Sequence, residues 1–580
     1  MRSNPKLLLI PAGLLLLAAA WLWWNSPQRI DIAAYAPADA IIYLEADDLP
    51  AILGGLTSTD AWRALAPAAG LRTDLGRVGR LGRLLALTGI GTAESVVLSR
   101  AQVAAVVLGF ETDGAPGGEA VVRPRLALIA ETHSGHSRTR AAVLKFAGDF
   151  ARSAYGETKL EQTEREGLTL LNWSQVSGTR GMRAAVSDGY LVIGTDEAAV
   201  EACLAVRRGE RPSMTGDARL SEMRERVGAS DGGGALAFGY VPRQAAPRLS
   251  EIAALLFASR MTLNAAEQSG AAIILPQLAS RLLGGAAWGF HVSADAAEDR
   301  YFIELGEGVA PRLSAALESP RQPPSDLASF VPSDARQLTR YNFAEPIEAW
   351  RGVIAVVSSQ VDFTIAPLVV RLLDQQLVPY GIESPREFLR AVGPEVATAR
   401  LDAEGERMAL VAAVRDEAAL RARARKHFGG ARPTRIGDAE LYADDGEDTA
   451  AAFVGGYVIT GAAESVRRCL QARASGRTLD TVEAFRRSAQ AAASGAQPHV
   501  LTLADDREQA RGFVTLVARQ SGARRRAADA AALEKALAAL PFASSETRLV
   551  ADGFERRTRS AFGQVGSLVL RFTSDVGTRR

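Results

Sequence analysis

Two cysteines in 580 residues are too few for a disulfide scaffold or a thiolate metal cluster. Only five histidines are present, His133, His136, His291, His427 and His499, and only five lysines, so the positive charge is almost all arginine. A formal net charge of +1 provides no bulk field toward nucleic acid or acidic substrates. Arg524-Arg525-Arg526 has no aromatic interleaving, which argues against a nucleic-acid partner. Catalytic signatures are missing too: no Gly-x-Ser-x-Gly elbow, no His-Glu-x-x-His and no Walker-type loop occurs.

The few candidates for chemistry have plain structural readings. His133-Ser134-Gly135-His136 could bring two imidazoles together, with Glu131 as a third group, but zinc sites use three or four protein ligands. A solvated loop is expected there. Thr88-Gly89-Ile90-Gly91-Thr92-Ala93-Glu94 lacks the third glycine of a phosphate cradle, and Tyr380-Gly381-Ile382-Glu383-Ser384-Pro385 is acidic where a phosphate would lie. Both read as helix entries, with Thr92 and Ser384 as N-caps. Gly232-Gly233-Gly234 reads as a flexible turn, and Asp39 and Asp334 as turn residues bonding nearby backbone. No catalytic, cofactor-binding or metal-binding residue is assigned, and no cofactor is expected.

Long apolar runs are equally scarce. The one at the start, Leu7 to Trp24, is 18 uncharged residues behind Arg2 and Lys6. As a helix it would span roughly 27 Å, enough for a bilayer's hydrocarbon core. Charge ahead of the run, with Trp21, Trp23 and Trp24 at its far end, predicts a single-pass anchor in the inner membrane with a periplasmic bulk. A cleaved signal peptide is the alternative, since Ala18-Ala19-Ala20 offers a cleavage site.

What the chain does have, it has twice. Gly189-Tyr190-Leu191-Val192-Ile193-Gly194 is followed by a helical pattern with Val200, Cys203 and Leu204, and Gly456-Tyr457-Val458-Ile459-Thr460-Gly461 by one with Val466, Cys469 and Leu470. The cysteines therefore read as one small buried hydrophobe used twice, with a disulfide between the copies as the other possibility. Tyr35-Ala36-Pro37-Ala38-Asp39-Ala40 recurs as Phe330-Val331-Pro332-Ser333-Asp334-Ala335, and Trp62 and Trp350 lie at comparable places beyond. Arg125 to Ala130 matches Arg407 to Ala412, each ahead of an Arg- and Ala-rich helix. A polar hairpin then precedes each Gly-Tyr strand. Late strands at Ala235 to Val241 and His499 to Leu503 hand over to Ala/Leu-rich helices, and the last strands are expected at Ala287 to Ala294 and Arg548 to Ala551.

These parallels predict an α+β tandem duplication: residues 1–25 as anchor or signal peptide, 35–318 as the first copy, 319–327 as a Pro-rich linker and 328–575 as the second copy. Mainly antiparallel sheet is expected, with helices covering one face of each sheet; one continuous sheet and two sheets side by side are both compatible.

Pro37-Ala38-Asp39-Ala40-Ile41-Ile42-Tyr43-Leu44, Gly89 to Ala104 with Gly381 to Ala397, and Asp188 to Gly194 with its helix together resemble an uncharacterised bacterial family of membrane-anchored extracytoplasmic proteins, catalogued only as a domain of unknown function. The resemblance covers most of residues 35–500. It implies location and architecture and carries no functional residue. The expectation is a non-enzymatic envelope protein whose duplicated module serves protein interaction or assembly, with helices such as Ile252 to Met261 and Ala530 to Leu540 as surface. The alternative is a periplasmic binding module for an apolar ligand such as a lipid.

Overall fold

The computed structural model describes residues 28–577, apart from 72–81, 83–90, 114–120, 166, 179, 231–232, 259–264, 294–295, 318–325, 364, 429–431, 444–447, 494–496 and 521–528. Leu7 to Trp24 and most of the expected linker lie outside the described residues. Among the described residues no helix is long and apolar enough to cross a membrane.

The first half supplies strands β1 (Ile42–Ala46), β2 (Gln102–Asp113), β3 (Val121–Glu131), β4 (Thr158–Arg165), β5 (Leu168–Gln175), β6 (Gly181–Val186), β7 (Tyr190–Gly194), β8 (Ala237–Val241), β9 (Leu283–Val292) and β10 (Ala297–Leu305). Its helices are α1 (Leu49–Leu56), α2 (Asp60–Ala68), α3 (Ala93–Arg100), α4 (His136–Tyr155), α5 (Glu197–Arg207), α6 (Ala218–Arg226), α7 (Ala246–Ala258), α8 (Ala265–Leu282) and α9 (Val309–Ala316). The second half supplies β11 (Gln337–Asn342), β12 (Val392–Arg400), β13 (Met408–Val414), β14 (Thr434–Ile436), β15 (Ala439–Tyr442), β16 (Thr449–Val454), β17 (Tyr457–Ala462), β18 (Val500–Ala504), β19 (Ala543–Leu549) and β20 (Gly553–Ser560). Its helices are α10 (Pro346–Ser358), α11 (Ala366–Asp374), α12 (Pro385–Ala391), α13 (Glu417–His427), α14 (Ala463–Ser475), α15 (Glu483–Ala493), α16 (Arg507–Gln520), α17 (Ala530–Ala539) and α18 (Gly563–Gly577).

Every pairing is antiparallel. The first half runs β4-β5-β6-β7-β3-β2-β1-β8-β9-β10. The second runs β14-β15-β16-β17-β13-β12-β11-β18-β19-β20, which is the same order. The two last strands pair with each other, from Ala297↔Ser560 to Glu304↔Gly553, so a single 20-stranded sheet results. Tyr190 and Tyr457 open corresponding strands, and the bridges Pro37↔Ser213 and Pro332↔Thr478 repeat the same closure. The glycine before Tyr457 serves a two-residue hairpin: Gly455 and Gly456 have φ of 58° and 81°, the type I′ signature. The closing Gly194 is required by packing, since a Cβ there would meet Val200 Cγ2 at 2.8 Å.

Helices cover both faces of the sheet, not one. Alternate residues of a strand point to opposite faces, and here both sets are apolar: Val192 packs with α5 and Leu191 with α4. We call the face bearing α5 and α14 the front and the face bearing α4 and α13 the back. Cys203 and Cys469 are free and fully buried in the two separate front cores, so the disulfide alternative is not realised. Burial pushes each thiol up to about 12.

The back helices near the junction are exchanged between halves. Trp62 and Leu65 of α2 pack with Phe513 and Val514 of α16, Leu537 of α17 and Phe562 before α18. Reciprocally, Val309 and Leu313 of α9 pack with Ala349 and Val356 of α10, and Ile274 and Leu278 of α8 with Val369 of α11. The segment Ala530 to Leu540, expected to offer surface, is thus engaged with the first half. Strands β10 and β20, which join the halves, are absent from the expected strands, and Arg548 to Ala551 proves to be the end of β19 and the turn after it. Arg300 and Arg557 stand directly opposite each other there. Glu298, 8% exposed, accepts from Arg300 Nε at 2.7 Å and lies 3.3 Å from Arg557 Nε and 3.2 Å from Arg559 Nε. Burial pushes its carboxyl up, but the three guanidinium groups outweigh that and hold it below its ordinary value.

Candidate functional site

The residues singled out for chemistry are dispersed and individually occupied. His133 Nε2 lies 3.1 Å from Gln102 Oε1 and His136 Nε2 lies 2.9 Å from Thr169 Oγ1. Among the described residues no group of three His, Cys, Asp or Glu side chains could hold a metal ion. Asp39 pairs with Arg211, and Asp334 with Arg468 at 2.9 Å, so both exposed carboxylates form ion pairs instead of the expected backbone bonds. Thr92 caps α3 by accepting from Ser95 N (3.4 Å); Ser384 makes no side-chain cap bond to α12, which starts with Pro385 at its first position. Gly233 N bonds Ser230 O at 2.8 Å in the expected turn. Gly89, Ile90, Gly232 and Arg524 to Arg526 lie outside the described residues. His427 Nδ1 approaches Glu383 Oε1 at 3.6 Å in a cleft of about 410 Å³ between α12 and α13, a separation beyond hydrogen-bond reach.

A different place collects the features of a binding site. On the back of the second half, a hollow of about 530 Å³ lies between the sheet and the helices above it. Its roof is Trp350 and Val353 of α10 with Leu377 and Tyr380 of the adjoining 3₁₀ turn; its floor includes Tyr341, Leu410, Val500 and Phe554. That size falls within the range of small-molecule sites, which are mostly apolar with a few convergent polar groups. Trp62, in the matching Ala-Trp-Arg of α2, is 1% exposed, and Phe513 and Phe562 pack edge-on against it with centroids at 6.4 Å. Among the described residues, the surroundings of Trp62 are filled where those of Trp350 are hollow.

The polar atoms bordering the hollow are few. Trp350 Nε1 is buried and has no hydrogen-bond partner among the described residues. His499 Nδ1 accepts from Leu549 N (3.2 Å), which puts the ring proton on Nε2. Burial, reinforced by Arg548, lowers the imidazole's pKa and keeps it neutral. Tyr341 OH and Thr398 Oγ1 are 3.3 Å apart. The set offers hydrogen-bond donors and no full charge.

Along the strands the same floor turns polar. Register aligns Tyr341, Val500, Thr547, Arg556 and Tyr301 in one row across five strands, and Thr339, Thr502, Ser545, Thr558 and Asp299 in the next. The second row is stitched by hydroxyls: Thr339 to Thr502 at 3.1 Å and Ser545 to Thr558 at 2.7 Å. It borders a second, wider hollow of about 880 Å³ that reaches the start of α18. Asp299 accepts there from Trp288 Nε1 and Gln564 N, both at 2.8 Å, and Asp506 from Ala561 N at 3.0 Å. Burial pushes each of these carboxyls up to about 6.

Of the residues lining the two hollows, the sequence singles out His499 and Tyr380 among its candidates for chemistry and Trp350 only as a repeat position. The signal that could have found the others, the alternation Phe554, Arg556, Thr558 on one side of β20, acquires meaning only once β20 is known to sit mid-sheet. Compared with known proteins, the chain matches no family model, no curated protein and no solved structure, and the site must be read from its own geometry.

Proposed function

We propose that this is a non-enzymatic, membrane-anchored envelope protein whose second half binds an apolar ligand such as a lipid on the periplasmic side. The observation that carries the reading is the asymmetry between the halves: the space above the sheet is filled around Trp62 and open beneath Trp350. The anchor and location rest on the Leu7 to Trp24 run. A copied ancestral unit is part of the proposal, supported by the common strand order and by the paired positions of Tyr190 with Tyr457 and Cys203 with Cys469. Extracting the purified full chain with organic solvent should release about one lipid per chain, detected by mass spectrometry. A lipid-free protein that also takes up none when offered would end the reading.

A second reading, docking of an envelope protein, is favoured by a different surface. Leu98 of α3 and Phe146 and Phe150 of α4 are 43%, 44% and 48% exposed. A pull-down from intact membranes that recovers no partner above background would count against it.

A further inference from the structure

We infer that the ligand is a single-chain amphiphile with a small anionic head: the chain lies in the hollow under Trp350 and the head on Arg556 and the hydroxyl row beside it. The inference rests on the apolar-ligand reading above and adds what recognises the head.

The two hollows share one floor. On β18 the apolar hollow is bordered by Val500 and the polar one by Thr502; on β19 by Thr547 and Ser545; on β20 by Phe554 and Arg556. In each case the two residues are neighbours on the same face, about 7 Å apart along an extended strand. A molecule lying along the strands therefore passes from hydrocarbon to polar surroundings over that same distance of about 7 Å. Such a floor suits a chain with one polar end and not a wholly apolar molecule.

The sign of the head follows from which charges are already answered. Asp505 receives Arg507 at 2.6 and 2.7 Å, with Arg336 at 3.5 Å. Glu508 lies 3.7 Å from Arg336, and Asp402 accepts from Gly405 N and Arg407 N at 2.7 and 3.0 Å. Asp299 and Asp506 are each tied to backbone N–H groups near the start of α18. Arg556 has no carboxylate within ion-pair distance among the described residues; its Nη2 donates to Ser545 Oγ at 3.1 Å. Ser545, 7% exposed, is in turn held by Thr558. A guanidinium with free donors, set beside hydroxyls at the mouth of an apolar hollow, matches a carboxylate or phosphate oxygen better than a cation.

The test uses the full chain, transferred from detergent into an amphipathic polymer, and titration calorimetry with four ten-carbon probes: decanoate, decyl phosphate, 1-decanol and decyltrimethylammonium. Decanoate or decyl phosphate should bind at least about tenfold tighter than decanol, and Arg556→Gln should remove that advantage while leaving decanol within about twofold. The tighter of the two anions tells a carboxylate head from a phosphate one. Val500→Trp, which fills the hollow from its floor, should abolish binding of all the probes, with a thermal melt confirming that each variant is folded. Equal binding of decanoate and decanol, an equal loss of both in Arg556→Gln, or tightest binding of the ammonium probe would overturn the head assignment and leave the apolar reading standing. If no probe binds the folded native chain, or if Val500→Trp binds as the native chain does, both fall.

Discussion

Replacing Trp62 by alanine should lower the unfolding free energy by about 3–5 kcal/mol, while the same change at Trp350 should cost less than about 2 kcal/mol. Both tryptophans sit in the same Ala-Trp-Arg context at the start of corresponding helices, so local propensity does not separate them. Packing does. Trp62 is 1% exposed among Phe513, Phe562 and Leu65, and its removal leaves a cavity that rigid neighbours cannot close. Trp350 borders the hollow and so packs against fewer protein side chains. The buried Nε1–H of Trp62, which has no hydrogen-bond partner among the described residues, disappears with the ring, which offsets part of the cost and favours the lower end of the range. Urea unfolding followed by circular dichroism measures both differences. The α2 core contains α16 and α17 of the other half, so the variant should move one shared transition. A Trp62→Ala protein whose second half unfolds at the native midpoint would show that the exchanged helices do not couple the halves.

Arg224→Met should cost about 3–5 kcal/mol at neutral pH, because it strands a buried carboxylate. Arg224 Nε and Nη2 bind both oxygens of Glu45 at 3.0 and 2.7 Å, and its guanidinium also reaches Asp31 at 3.0 and 3.3 Å. Glu45 is 10% exposed and accepts from Tyr43 OH at 2.5 Å. Burial already raises the Glu45 pKa against the opposing pull of Arg224; without the cation it rises further. A carboxyl raised above its unfolded value makes the folded state bind more protons than the unfolded one, so stability falls as pH climbs through the folded pKa. The deficit of Arg224→Met should therefore be smaller at pH 5 than at pH 7.5. Equal deficits at the two pH values would mean that lost packing, and not the unpaired charge, is responsible.

Much of the architecture was legible because it rests on short-range rules. The Gly-Tyr strands were visible from their turn glycines and apolar runs, and the helices after them from Val200, Cys203 and Leu204 with their counterparts. Strand entries at Pro37 and Pro332 were visible because proline tolerates few backbone positions. The misreadings share one cause. Gly553-Phe554-Glu555-Arg556-Arg557-Thr558-Arg559-Ser560 is rich in charge, yet it lies in the middle of the sheet. Glu555, Arg557 and Arg559 on one side and Arg556 on the other stay exposed, so this central strand carries the residues of an edge. The same logic misplaced the helices: all-apolar β7 and β17 are apolar on both faces because α4 and α13 cover the back, while α5 and α14 cover the front.

By itself the chain determined most of the unit: its strands and helices apart from the last strand of each half, the recurrence of its motifs, and the side chains buried in each front core, because hydrophobic period and turn chemistry act over a few residues. Tertiary structure decided what the two units become together. Pairing of β10 with β20 and packing of α2 on α16 and α17 join groups more than two hundred residues apart. The space under Trp350 is bounded by side chains from several separate elements, and no local pattern encodes which distant side chain fills a gap.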